Sequence, residues 1–198
     1  MKIYTKKGDD GSTGLLYGGR VRKDAPQIEL NGVVDEAQAT LGLARAECEP
    51  NSVIDRLLVA LESDLWILMA EVATDKSNRG RLTEGKTAVS AEMTASIERQ
   101  IDEITAKFSF PNEFAVPGQN RISASLDVAR TVIRRAERLS VVFTSENPDS
   151  QVGPYLNRLS DLVWTLARWQ EDVHLTAKAA RGPRELSHEN GSDQERNE

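Results

Sequence analysis

Cysteine occurs once, at Cys48, and histidine only at His174 and His188. A lone thiol cannot close an internal disulfide, and so few ligands cannot assemble a Cys/His zinc site. The same shortage leaves no strong case for a Ser/His/Asp triad or a Cys/His nucleophile pair, because His188 lies in a polar tail and His174 near the end of a helical pattern. If the chain is a catalyst, its own side chains supply no nucleophile. Apolar runs are short as well: Leu65 to Ala70 is typical of the longest, against roughly 20 residues for a bilayer helix. No membrane span is expected. Positive charge is in deficit, with 25 Lys plus Arg against 31 Asp plus Glu and a net charge of −6, which removes the electrostatic basis for binding nucleic acid. Any anionic ligand has to meet a local basic patch. Met1 to Lys7 lacks an apolar signal core, so with an unpaired thiol the cytoplasm is the expected compartment.

What the sequence does have is helical periodicity. The 198 residues, 39% hydrophobic and 28% charged, describe about one globular domain. A first helix starts near Pro26, runs through Ile28, Val33, Val34, Ala37, Leu41 and Ala44, and ends near Cys48. A second follows Asn51 with Leu57, Leu61, Leu65, Leu68 and Val72 on one side. Further helices are expected over 90–107, over 120–145 and from Pro154 to about Ala180, the fourth stopped by Asn147-Pro148. Strand signals are nearly absent. The expected fold is all-α, a five-helix bundle over residues 26–181, preceded by a glycine-rich loop over 1–25 and followed by a polar, disordered tail over 182–198.

The stretch Gly80 to Thr87, in which Gly85-Lys86-Thr87 follows Gly80, satisfies the P-loop expression. That loop works only between a buried strand and a helix N-terminus, and Asp75 to Arg79 cannot be a buried strand. It reads as a chance match in a surface loop. The segment Thr5 to Gly14 is a better phosphate candidate, since its glycines let backbone N–H groups approach an anion, Thr5, Ser12 and Thr13 add hydroxyls, and Lys6 adds charge. Taken alone it reads equally as a mobile lead-in.

On the fourth helix Arg130, Arg134 and Glu137 share a stripe, with Asp127 a turn earlier, a length of roughly 10 Å that suits a polyphosphate. The plainer reading is a solvated face, but Ala129, Val132, Ile133 and Ala136 leave little of this helix for solvent. Asn157 and Asp161 stand one turn apart on the fifth helix. Asp35, among Val33, Val34 and Ala37, needs a cationic partner if it faces inward, and Arg130 would serve. Phe114, on a loop between Pro111 and Pro117, either plugs the core or shows its ring to a flat ligand.

Taken in order, Thr5 to Gly19 with Arg20-Val21-Arg22-Lys23, then Val34-Asp35-Glu36, Phe114 to Gly118, Ala129 to Arg138 and Tyr155 to Asp161 resemble the PduO-type ATP:cob(I)alamin adenosyltransferases. The resemblance implies a ferritin-like five-helix bundle that forms a homotrimer and binds ATP between subunits. It assigns Thr5, Lys6, Gly8, Gly11, Thr13 and Lys23 to wrapping the nucleotide. Arg130, Arg134, Glu137 and Asn157 would hold triphosphate, ribose and adenine. Asp35 would pair with Arg130 across the interface, and Phe114 would lie under the corrin and displace its axial base, which makes Arg130, Arg134, Asp35 and Phe114 the expected catalytic set.

In that chemistry cobalt(I) attacks the 5′ carbon of ATP, forming adenosylcobalamin and expelling triphosphate, so no protein nucleophile is needed. Mg²⁺ would arrive on the ATP phosphates, with no protein side chain assigned to it. A flavin reductase and an adenosylcobalamin-dependent enzyme are the implied partners. The alternative is a nucleotide or cobalamin carrier, or a sensor, without turnover. This chain has Gln119 and Asn120 where many members have a glycine and a hydroxyl residue, and Asp127 where a histidine is frequent.

Overall fold

A computed structural model describes residues 3–171 and 173–181. Five helices carry the architecture: α1 (Pro26–Ala46), α2 (Val53–Val72), α3 (Ala91–Thr105), α4 (Arg121–Glu146) and α5 (Val152–Trp169). Their starts are set by local chemistry. Pro26 opens α1 at a position whose N–H has no helical partner. The Ser52 and Ser90 hydroxyls accept from the amides of Asp55 and Met93, each at 3.2 Å. At α4, Asn120 accepts from Ser123 N at 2.8 Å while the Ser123 hydroxyl accepts from Asn120 N at 3.2 Å, a reciprocal cap.

Helix α4 is the spine, packed between α1 and α5, with α2 against α1 and α3 against α5. The core follows the apolar stripes: Leu30, Val34, Leu41, Leu65, Ile133, Leu156 and Leu162 are fully buried, each worth about 1.5–3 kcal/mol against exposure. Carboxylates are buried as well, Glu71 the most deeply. Glu71, at the end of α2, accepts from Arg79 Nη2 at 2.9 Å, Val89 N at 2.7 Å and Ser150 Oγ at 2.6 Å. A buried charge persists only with such a shell, and this one ties the 74–89 connection to α2 and to the entry of α5.

Two expectations need correction. The fifth helix ends at Trp169 rather than near Ala180. Beyond it the chain turns back along the loop that follows α3: Val116 N donates to Leu175 O at 2.7 Å and Ala177 N to Phe114 O at 2.8 Å. Main-chain pairing with a distant loop outweighs the local apolar spacing that suggested more helix. The N-terminal region is not only loop, because Ser12–Gly14 (β1) pairs antiparallel with Arg20–Arg22 (β2). The P-loop look-alike is a turn, with Gly80 and Arg81 closing a 3₁₀ segment that starts at Lys76 and Thr83 N donating to Thr87 Oγ1 at 2.8 Å. The expected tail over 182–198, including His188, lies outside the described residues.

Candidate functional site

Helix α4 buries Ala129, Val132, Ile133 and Ala136, which turns its charged stripe along the margin where α4 meets α5. Arg134 is half exposed, and its Nη1 lies 4.0 Å from Glu137 Oε2. Glu137 Oε1 accepts from Asn157 Nδ2 on α5 at 2.7 Å, and Arg158 donates to Asn157 Oδ1. Three residues that sequence spacing placed on two helices therefore form one polar surface. Asp161, a turn further along α5, is exposed.

Arg130 lies at the rim of a cavity of about 630 Å³ whose walls include Phe114, Pro117, Asp127, Trp164 and Arg168. Asp127 is 5% exposed and takes two guanidinium groups, Arg130 Nε on Oδ1 at 3.3 Å and Arg168 Nη2 on Oδ2 at 2.6 Å. Arg168 Nη2 also donates to Glu171 Oε1 at 3.0 Å, and Glu171 Oε2 meets His174 Nδ1 at 2.9 Å. Sequence reasoning placed Asp127 a turn before Arg130, set His174 aside, and missed Arg168, Glu171 and Trp164. The i, i+3 spacing of Arg168, Glu171 and His174 was the only available signal.

Phe114 is 89% exposed, so it does not plug the core. Its loop is held by the strand-like pairing with residues 175–177 and by Phe110, whose ring stacks on Trp164 at 5.4 Å and 10°. A large ring held out on a fixed loop loses little freedom when a flat ligand covers it.

The N-terminal candidates form a second surface. Lys6 and Gly11 both have positive φ, 59° and 78°, and Gly11 N donates to Gly8 O at 3.2 Å. Gly8 is closely approached: a Cβ there would stand 3.2 Å from both Lys23 Nζ and Ser12 O, so its neighbours would have to give way by a few tenths of an ångström. Lys23 N in turn donates to Gly11 O at 2.9 Å, so Gly8, Gly11 and Lys23 form one knot, with Thr5 and Lys6 leading into it and Thr13 on β1. Asp10 accepts from the Ser12 hydroxyl at 2.7 Å and the Ser12 amide at 2.9 Å, which holds its carboxyl below the usual range.

Among the described residues no hydrogen bond or ion pair joins the two surfaces within one chain. The hairpin is tied instead to the end of α2, through Leu16 N to Ala73 O at 2.8 Å. Asp35 is exposed on α1 rather than facing inward, and Arg130 is paired with Asp127, so the Asp35–Arg130 pair is not formed inside the protomer. Among the described residues no three His, Cys, Asp or Glu side chains converge as a metal cage would require.

Residues 3–170 match the family described as cobalamin adenosyltransferase. A corrinoid adenosyltransferase of Citrobacter freundii is 36% identical over 171 residues, covering 86% of this chain and 95% of the relative. One from Bacillus subtilis (strain 168) is 36% identical over 173 residues, covering 85% and 86%. Among solved structures, a variant PduO-type ATP:corrinoid adenosyltransferase from Lactobacillus reuteri, complexed with cobalamin and ATP, superposes with a TM-score of 0.73 at 28% identity, covering 85% of this chain and 92% of that one.

Proposed function

The chain belongs to the cobalamin adenosyltransferase family, of the PduO type, and from that membership we propose how its residues carry the reaction. The reaction itself is the ATP-dependent adenosylation of cobalamin. Cobalt(I) is the nucleophile: its electron pair forms the bond to C5′ of ATP as the C5′–O bond breaks and triphosphate leaves. The protein's part is to position the two substrates and to meet the charge that develops on the leaving group.

Arg130 and Arg134 face that charge, while Glu137 and Asn157, already bonded to each other, receive ribose and adenine. The knot of Thr5, Lys6, Gly8, Gly11, Thr13 and Lys23 closes on the phosphates from an adjacent copy of the chain, in a homotrimer. The family resemblance is the reason for assigning it to a neighbour, and among the described residues no hydrogen bond or ion pair joins it to the α4 stripe. Asp35 is exposed on α1 and in this assembly reaches Arg130 of the adjacent copy. Phe114 stands against the lower face of the corrin and excludes its axial base, which eases reduction of cobalt(II). Mg²⁺ comes with the nucleotide, held by phosphate oxygens and water rather than by a protein cage. A flavin reductase supplies the electron, an adenosylcobalamin-dependent enzyme takes the product, and the compartment is the cytoplasm.

One observation carries this assignment: the Arg134–Glu137–Asn157 surface runs through Arg130 to a cavity with Phe114 displayed at its mouth. The test mixes purified protein with MgATP and chemically reduced cobalamin and follows the visible spectrum. Adenosylcobalamin is expected, in amounts that fall when Arg130 or Arg134 is replaced. Binding of both substrates without conversion would return the chain to a carrier.

A further inference from the structure

The main chain on either side of the Phe114 ring is bonded to the segment that follows α5: Phe114 O accepts from Ala177 N at 2.8 Å, and Val116 N donates to Leu175 O at 2.7 Å. These bonds join two irregular stretches to each other, and neither is fastened to the bundle by them. Apolar packing gives the returning segment little hold, since Val173 and Leu175 are exposed and no described residue from 173 to 181 is buried. Its hydrogen bonds stay within the segment or go to the loop, as Lys178 N does to Glu113 Oε2 at 3.3 Å. Among the described residues His174 is the exception, because its Nδ1–H donates to Glu171 Oε2 at 2.9 Å.

Glu171 is a firm post. It is buried just past the end of α5, and its other oxygen accepts from Arg168 Nη2 at 3.0 Å, on the last turn of that helix. His174 also touches the other arm of the loop. Its ring meets Phe108 edge-on at 6.2 Å and 61°, Phe108 packs on Phe110 at 4.7 Å, and Phe110 stacks on Trp164 of α5. Glu171 already has Arg168 as a counter-ion, so the histidine is not needed to neutralise it. What the contact adds is a fixed starting point for the clasp, one residue before Leu175. His174 is not one of the cavity's lining residues, so it reaches a ligand there only through the loop.

We propose that His174 is a positioning residue for the Phe114 ring: fastened to Glu171 and braced on Phe108, it sets where the ring meets the lower face of the corrin and so how fully the axial base is excluded. The inference rests on the reading that Phe114 acts on that base. Without the fastening the ring is still present, but ordering its loop has to come out of the binding energy.

The test loads the purified protein with MgATP and cob(II)alamin and reads by electron paramagnetic resonance the share of cobalt(II) that has lost its axial base. MgATP affinity and thermal melting are followed alongside. His174→Ala is expected to lower that share about threefold, within the coupling seen between contacting residues, while MgATP affinity changes less than about twofold. In a Phe114→Ala background the same substitution is expected to be silent, because no ring is left to position. Equal losses in the two backgrounds, no loss in the parent, or a matching loss of MgATP affinity would each overturn the positioning role. A Phe114→Ala protein that keeps the parent's share would overturn the reading beneath it and the proposal with it, a different result from failure of His174 alone. His174→Asn, which keeps a donor at the place of Nδ1 but loses the ring that meets Phe108, is the second variant should His174→Ala not fold. It is expected to give a smaller loss that also vanishes without Phe114, and persistence of its loss there would overturn the proposal equally.

Discussion

On α4 the side chains assigned to the nucleotide project from a helix whose opposite face is buried between α1 and α5, whereas the hairpin presents its donors from three-residue strands, and no residue from 3 to 29 is buried. Most of the helix face is set before any ligand arrives, since Arg130 is bonded to buried Asp127 and Glu137 to Asn157, while Arg134 stays half exposed. The hairpin has hydrogen bonds and positive-φ turns but little packing to hold it down. A polyphosphate between them would find one wall ready and the other adaptable. In the proposed assignment the first would give direction to catalysis and the second closure.

The sharpest way to break that contrast is Arg134→Ala. Arg134 is half exposed and its nearest acidic atom is 4.0 Å away, so folding stability should change by no more than about 0.5 kcal/mol. Turnover should fall by about 10²–10³-fold if it meets developing charge. Normal turnover in a steady-state assay would remove it from the site. Next in size is Phe114→Ala, expected to slow turnover about tenfold from cobalt(II) and less from prereduced cobalt(I). Equal losses from the two starting states would mean that the ring does not act on the axial base.

The hairpin should respond more gently. Gly8→Ala places a methyl against Lys23 Nζ and Ser12 O, and we expect KM for MgATP to rise about threefold with kcat nearly unchanged. A fall in kcat instead would make the hairpin as rigid a partner as α4. The smallest effect lies away from both surfaces. Asp64 accepts from Tyr155 Oη at 2.9 Å, and burial pushes its carboxyl above the ordinary 3.8. The folded state then prefers the proton, so stability is lost as pH rises through that range. Asp64→Asn removes this loss and should be more stable than the parent by up to about 1 kcal/mol at pH 7, with the difference shrinking near pH 4, as urea melts at the two pH values would show.

Much of this was open to reading in the residues. Helix α1 starts at Pro26 and α4 runs between Asn120 and Asn147-Pro148, as those residues say they should, because caps and breakers act locally. The Arg130–Arg134–Glu137 stripe follows from helical spacing alone. What stayed hidden depends on partners far along the chain. Leu175 and Ala177 continue an apolar rhythm, yet their backbone pairs with a loop about 60 residues earlier. Arg168 and Glu171 look like a soluble helix end, and only packing shows that they are buried. Asp35 sits among valines, and the sequence left open whether it faces inward and needs a partner there; α1 turns it outward. Strands β1 and β2 are too short for any alternation to register.

The clasp between residues 175–177 and the Phe114 loop uses amides and carbonyls, not side chains. Such a joint is blind to the identity of most residues that form it, so this stretch can drift in sequence while holding the ring at a constant height. Proline is the exception, for at 116 or 177 it would delete the very N–H that closes the clasp. Relatives that share little wording after α5 can thus share the same hinge.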